Sequence, residues 1–487
     1  MKAAAGALII LFTGLAYLSQ LNKSPTYDED GILAFGENVL NLDFARRYAG
    51  PMPGAALNAL GARLAGGGDA LNPRALAGAR AAGILVGTLG AILVYLWALE
   101  MYGPKGGLLS LGLFCLSPTL IAHSRLVGSD IPAAIGLTAV IYLFRKMLLR
   151  GGWGRVAACA LAAGACQLAK YSCLLIYPLL LALFVLRIPA GRGKDWCLRG
   201  GILRLVGIGL CFALAGLLLI NLGFGARGST LEGFLLPQPY LQGIEMLRAK
   251  EASGSGFGYM YLMGELRKTE GFREYYFWAL LFKVPLPALF LLGLALGCTL
   301  TNRSGFSENG LFTLVPALLL LLYFSFLVKV NLGIRYILPA FPLLCLYAGN
   351  FLQRPTRGRT WTAGILLAVQ AASVLSWHPH YLSYFNEMLL ERTDAYLILA
   401  DSNLDWGQND HFLADYLRRH PGAAVNPAGP RSGTVIVSAN ELVGVWGPER
   451  FRWLRENFRP VGHVAYSWLI FEVSSEELSE LGLEERR

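Results

Sequence analysis

The chain has 487 residues, of which 55% are hydrophobic and 15% charged, with a mean hydropathy of +0.48 and a formal net charge of +10. A soluble globular protein is excluded by repeated apolar runs close to the ~20 residues needed to cross a ~30 Å hydrocarbon core. Nucleic-acid binding is excluded by where the base lies. Lys and Arg fall mainly in short loops between apolar runs, and no basic, aromatic-interleaved segment stands outside them.

In chain order, the pattern predicts eleven spans, near 3–21, 77–98, 107–122, 130–149, 155–169, 172–187, 201–222, 277–299, 311–328, 334–352 and 361–377. Residues 2–20 show no clear small-x-small cleavage site before Asn22, so they read as a span and not as a signal peptide. Base is concentrated in three loops: Arg145, Lys146, Arg150 and Arg155; Arg187, Arg192, Lys194, Arg199 and Arg204; and Arg354, Arg357 and Arg359. Eleven spans put all three on one side, which the charge rule makes cytoplasmic. The segments 22–76, 123–129, 223–276 and the tail from 378 then lie outside.

The loop 223–276 carries Pro237, Pro239, a Gly/Ser stretch from Ser253 to Gly258, and apolar pieces such as Tyr259 to Leu266, a composition suited to interfacial helices. In the tail, Asp410–Arg419 and Glu449–Asn457 read as helices, and Gly433–Ala439 and His463–Val473 as strands. The expected fold class is an α-helical polytopic membrane protein, with residues 1–377 as the membrane domain and 378–487 as a small extracytoplasmic α/β domain. Of the eight cysteines, seven lie in apolar runs and Cys197 lies in a basic loop, which gives no disulfide framework. Gly83-x-x-x-Gly87 is a helix-packing signal of low specificity.

With this orientation one set of ionisable residues collects at the outer face. Asp28 and Glu29 follow the first span, His123, Arg125 and Asp130 bracket the third and fourth, and Lys170, Lys283, Lys329 and Arg335 sit at later span ends. Ionisable groups beside spans are costly and usually face a cavity or a partner. Carboxylates can take a proton from an attacking hydroxyl or amine, while Lys or Arg stabilises charge growing on a departing phosphate. Each residue also has a plainer reading: Asp28, Glu29 and Asp30 as loop solvation, Asp130 as a helix cap, and Lys170, Lys283 and Arg335 as snorkelling side chains. Asp401, Asn403, Asp405 and Gln408 lack the Gly and closing Glu of a calcium loop and read as a structural turn. His378, His380 and Glu387 read as interfacial polarity before they read as a zinc site.

The acidic pair after the first span, Ala122-His123-Ser124-Arg125-Leu126-Val127-Gly128-Ser129-Asp130-Ile131-Pro132 and Ala169-Lys170-Tyr171-Ser172 resemble the GT-C glycosyltransferases related to protein O-mannosyltransferases and the lipid A aminoarabinose transferase. So do Phe282-Lys283-Val284-Pro285-Leu286-Pro287, Gly333-Ile334-Arg335-Tyr336-Ile337-Leu338-Pro339 and His380-Tyr381-Leu382-Ser383-Tyr384-Phe385-Asn386-Glu387. Asp401-Ser402-Asn403-Leu404-Asp405-Trp406-Gly407-Gln408 is similar to a tail signature of bacterial members, and the likeness runs from about residue 20 to 475.

The resemblance implies an integral membrane enzyme of the inner membrane that moves a sugar from a polyprenyl-phosphate donor, with inversion, to a hydroxyl or amine of a glycan, lipid or protein. Its site would lie on the extracytoplasmic side. Asp28 would be the base with Glu29 its partner, Asp130 the second acidic position, and Lys283, Arg335 and Lys170 the phosphate holders. His123, Arg125, Tyr336, Tyr384 and Asn386 are candidates for the substrate pocket. The resemblance makes no cofactor certain and leaves a divalent metal open. Relatives usually carry a Pro-Pro motif where this chain has Pro51-Met52-Pro53-Gly54, so acceptor or metal binding at that point is open too. The rival reading is a transporter or flippase of lipid-linked glycan, against which stand the absence of inverted repeats and the one-sided charge. A sensor or scaffold would leave the acidic pair idle.

Overall fold

The computed structural model describes residues 1–45, 50–67, 72–188, 196–229, 235–253, 258–301 and 308–484. Arg192, Lys194 and most of the Ser253–Gly258 stretch lie outside the described residues. All eleven apolar segments are helical, but several are interrupted. By length and composition five described helices suit a membrane crossing: Lys2–Gln20, Pro73–Cys115, Asp130–Arg150, Gly201–Gly223 and Glu308–Phe326. Tyr275–Lys283 and Leu286–Leu300 make a sixth if they count as one span, although they meet at 111°.

The interruptions have local causes. Pro285 cannot donate the N–H that would continue the helix ending at Lys283, and Pro287 lies in the first turn of the next, so the expected span 277–299 is sharply bent. The segments expected at 77–98 and 107–122 share one helix, Pro73–Cys115, that is broken at Gly103 (φ 73°, ψ −174°) before Pro104. A further break precedes Pro118–Ser124, whose first turn is capped by the Ser117 hydroxyl.

Small residues bring helices together. The helices Trp153–Gln167 and Gly201–Gly223 touch where a Cβ on Gly164 would sit 2.8 Å from the Ala215 carbonyl oxygen. Gly83 and Gly87 face Ser124 in the same way, so the Gly-x-x-x-Gly pair seats the turn that carries His123 and Arg125. The 21-residue helix Asp130–Arg150 is roughly 30 Å long. Asp130 is at one end. Near the other, Lys146 pairs with Glu100 at 3.0 Å and Arg145 donates to Asn309 at 3.3 Å, while Arg187 meets Glu308 at 3.3 Å.

Between the bundle and its polar end lie Glu29–Leu40, Ala56–Leu64 and Gln238–Ser253. Tyr240 on the last helix packs on Tyr171 and Phe224. Tyr259 to Leu266, expected as interfacial helix, is instead an antiparallel hairpin of Met260–Leu262 with Glu265–Arg267. The reason is the turn: Met263 and Gly264 both have positive φ, the conformation that joins tightly paired strands.

The tail forms a four-stranded sheet in the order Ala424–Val425, Gly433–Ser438, Trp468–Val473, Gly462–Val464, with the first pairing parallel and the other two antiparallel. Strand alternation sends Ile436 and Ile470 toward Leu413 of the helix Asp410–Arg419. Val435, Val437, Leu469 and Phe471 face the other way and merge with the main core, which also holds Phe12, Trp97 and Phe114 of the bundle. One apolar core therefore joins the tail to the helices.

The helix Ala56–Leu64 lies so close to Pro73–Cys115 that a Cβ on Gly61 or Gly78 would sit 2.3 Å from the other's carbonyl oxygen. Gly78→Leu should therefore lower the thermal stability of the detergent-purified protein, by about 1–3 kcal/mol for overpacking. Gly293→Leu, where a Cβ meets nothing within 4 Å, should leave the melting temperature near that of the wild type.

Candidate functional site

The acidic pair divides. Adjacent residues at a helix start point in different directions, and the helix Glu29–Leu40 turns Glu29 inward while Asp28, its N-terminal flank, stays about half exposed. Glu29 is 1% exposed and accepts from Arg80 Nε at 2.8 Å and Nη2 at 2.6 Å, and from the Thr26 and Val127 backbone N–H groups at 2.8 Å each. Burial opposes its charge, but Arg80 and those N–H groups outweigh this and hold the carboxyl below its usual range. Arg80 also donates to the carbonyls of Lys23 and Ser24. Sequence reasoning missed Arg80; its signal was a guanidinium inside the expected span 77–98.

Asp28 meets Arg335 Nη1 at 3.0 Å. Arg335 sits on the short 3-10 helix Ile334–Ile337, entered through Gly333 at φ 75°, where a Cβ would lie 2.3 Å from Ser402 Oγ. Its guanidinium lies 4.2 Å from the centre of the Trp406 ring and 6.0 Å from that of Tyr336. Lys170 pairs with Asp130 at 2.6 Å and stands 5.0 Å from the Tyr336 ring. Four predicted residues, Asp28, Arg335, Asp130 and Lys170, thus converge as two ion pairs on either side of Tyr336. Asp401 adds a third carboxylate near Arg335, its carboxyl pushed up to about 6 by burial, with Asp28 adding to the rise.

The other candidates make different contacts. Lys283 is 2% exposed, and its ammonium donates to the carbonyls of Leu382 at 2.8 Å and Asn403 at 2.6 Å, so it ties the tail to the bent helix pair. Asn386 donates to the Leu281 and Val284 carbonyls, which the break at Pro285 leaves without helical partners. The Tyr384 hydroxyl lies 3.0 Å from Ser373 Oγ and its ring packs on Trp377. His123 is buried and pushed down to about 4, chiefly by burial, and its ring lies 6.3 Å from Trp406. Arg125 is fully buried, and among the described residues none of its guanidinium nitrogens has a hydrogen-bond partner; burial, with Arg80 nearby, pushes it down to about 9.

Neither metal arrangement weighed from the sequence forms. Among the described residues no three or more His, Cys, Asp or Glu side chains gather as metal ligands. The Asn403 side chain binds Ile334 N and the Tyr275 hydroxyl, while Gln408 Oε1 accepts from Trp406 N, so these side chains of the loop are turned on the protein itself. His380 Nδ1 lies 2.7 Å from the buried Lys23 ammonium, which also reaches Asn409.

Several helices long and apolar enough to cross a bilayer define a multi-pass membrane protein. Over the whole chain its fold is similar to the crystal structure of ArnT from Cupriavidus metallidurans bound to undecaprenyl phosphate, at 13% identity and a TM-score of 0.55, covering 96% of this chain and 97% of the other. The apo ArnT structure from the same organism gives 19% identity and a TM-score of 0.51, with 77% and 65% of the two chains covered. The likeness to both structures is one of fold. Residues 54–218 match the family described as dolichyl-phosphate-mannose-protein mannosyltransferase. No curated protein sequence matches the chain.

Removing one partner of a buried ion pair leaves an uncompensated charge and costs about 3–5 kcal/mol. Glu29→Gln should accordingly cause a large loss of thermal stability, and Glu29→Leu combined with Arg80→Met should recover part of it. A second test is set by Asp405, which is 2% exposed and pushed up to about 7 by burial despite the Gly407 N–H. Its unfolded carboxyl ionises near pH 4. The folded form keeps its proton, so stability falls as pH rises from about 4 to about 7 and is level above. Melting temperatures at pH 5 and pH 8 should show a smaller drop for Asp405→Asn than for the wild type.

Proposed function

We propose that the chain is an inverting glycosyltransferase that moves a sugar from a polyprenyl-phosphate donor to an acceptor hydroxyl or amine on the extracytoplasmic face of the inner membrane. The observation that carries this reading is the Asp28–Arg335 pair: a half-exposed carboxylate, able to take a proton, held 3.0 Å from a cation able to take a phosphate. An apolar cavity of about 190 Å³ opens at the bend, lined by Val284, Pro285, Leu292, Leu321, Ile337 and Phe341 among others. Such a cavity suits the hydrocarbon of a lipid carrier. The likeness to a structure holding undecaprenyl phosphate, and to a family named for dolichyl-phosphate-mannose, supports the same donor class.

The geometry is consistent with the following order of events. The donor phosphate competes for Arg335, with Lys170 as second cation, and so frees the Asp28 carboxylate. Asp28 then accepts the acceptor's proton as its oxygen or nitrogen bonds to the anomeric carbon. The bond from that carbon to the phosphate oxygen breaks on the opposite face, leaving polyprenyl phosphate with its charge on Arg335. Tyr336 keeps the two cations in place, and Glu29 fixes the backbone from which Asp28 projects. Lys283, with two N–H groups on carbonyls, is assigned a tether's role. The helix Asp130–Arg150, whose basic end is opposite the site, supports this orientation. Residues 378–487 are assigned to the site's side.

Cells lacking the gene, complemented with wild type or Asp28→Asn, should differ in the mass spectra of envelope glycans and lipid-linked sugars. A sugar lost on deletion should return with wild type and not with Asp28→Asn, whose turnover should fall roughly 10²-fold or more. Arg335→Lys keeps charge but loses the planar fork, so donor use should weaken roughly tenfold. Full restoration by Asp28→Asn would overturn the assignment.

A further inference from the structure

The two members of the central pair are far apart in the chain, and one residue of the tail touches the supports of both. The indole of Trp406, 8% exposed, lies under the Arg335 guanidinium at 4.2 Å. Its backbone carbonyl accepts the Tyr27 N–H at 3.1 Å, one residue before Asp28. The neighbouring Ser24 N–H donates to the Gln408 carbonyl at 3.2 Å, so the strand of chain leading into Asp28 lies along the loop.

The loop is built to hold that position. Trp406 N donates to Gln408 Oε1 at 2.6 Å, Gly407 N to Asp405 Oδ1 at 3.1 Å, and Gln408 Nε2 to the Leu404 carbonyl at 3.0 Å, which closes a tight turn on its own side chains. Gly407 has φ 82° and faces the Tyr27 ring, 3.4 Å from where a Cβ would stand. From outside, Asn440 donates to the Asp405 carbonyl at 2.9 Å, and Lys283 holds the Asn403 carbonyl.

We infer that Trp406 is a positioning residue for the Asp28–Arg335 pair: its ring face sets the guanidinium, and its carbonyl sets the backbone that presents the carboxylate. The inference rests on the reading of that pair as base and phosphate holder. A cation over an indole face can still use its N–H groups: Arg335 Nε donates to the Leu332 carbonyl at 3.1 Å and Nη1 to Asp28 at 3.0 Å, and Nη1 is the group that an incoming phosphate would claim. Mere packing makes a different demand, for volume without a π face.

The test uses full-length protein in detergent with Trp406→Phe, which keeps a ring face, and Trp406→Leu, which keeps apolar bulk alone. Trp406→Met stands in if the Leu variant does not fold. Two readouts are taken: affinity for undecaprenyl phosphate, and the rate at which phenylglyoxal modifies Arg335, followed on its peptide by mass spectrometry. Trp406→Phe should stay within about threefold of wild type in both. Trp406→Leu should weaken binding roughly tenfold and raise Arg335 modification several-fold. In an Arg335→Lys background, Trp406→Leu should add little to the binding loss, since the two residues act as one unit. Phe and Leu variants that match each other in Arg335 reactivity would overturn the inference. Wild-type protein with no affinity for undecaprenyl phosphate would instead overturn the donor reading, and the phenylglyoxal comparison would still decide the role of Trp406.

Discussion

A carboxylate taken out of water must be met by donors on every side, and the arrangement around Glu29 follows from that demand. Its four hydrogen bonds come from Arg80, from Thr26 just before it, and from Val127 in the turn that precedes Asp130. Three pieces of chain are thereby fixed against one group. The remaining Arg80 donors hold the carbonyls of Lys23 and Ser24, which sets the path from the first helix into the second. Asp28 has little freedom left, and it projects from this fixed frame toward Arg335.

The cations at the ends of apolar helices look alike in the sequence and are unlike in the structure. Arg335 and Lys170 each face a carboxylate across a partly open surface. Lys283 faces carbonyls, because the break at Pro285 and the descent of the tail bring Leu382 and Asn403 beside it. Lys23 faces His380 and Asn409, and burial lowers its affinity for a proton. What separates these roles is the identity of the group brought opposite by folding, which spacing along the chain does not encode.

That difference marks how much was legible beforehand. The apolar segments, the acidic pair, and the helix Asp410–Arg419 and strand Gly433–Ser438 of the tail could be read because each is a local pattern of period and composition, whereas the expected strand His463–Val473 is two antiparallel strands turned at Ala465 and Tyr466, both at positive φ. The division of labour between Asp28 and Glu29 could not, since two adjacent carboxylates carry no mark of which one turns inward. Arg80 was hidden by its apolar neighbours, and the hairpin at 260–267 was hidden by a Met-Gly pair whose turn conformation outweighs the surrounding hydropathy. The Asp401–Gln408 segment was legible as a turn. Its contact with Arg335 was not, because that depends on a sheet whose one face joins the helical core.

The seam between the start of the chain and its tail has a bearing on biosynthesis. Asp28 and Arg335 are 307 positions apart, and His411 reaches back 387 positions to Ser24. At about 5–20 residues per second, roughly 20 to 80 s separate the synthesis of Ser24 from that of His411. Throughout that interval the segment after the first helix lacks the loop that secures it. Helices can settle in the bilayer early, while the pairing of carboxylate with guanidinium over the indole waits until the Trp406 loop has been made. A nascent chain short of that loop therefore lacks the support of the pair proposed to carry the chemistry, and the contacts that fix the pair are among the late ones to form.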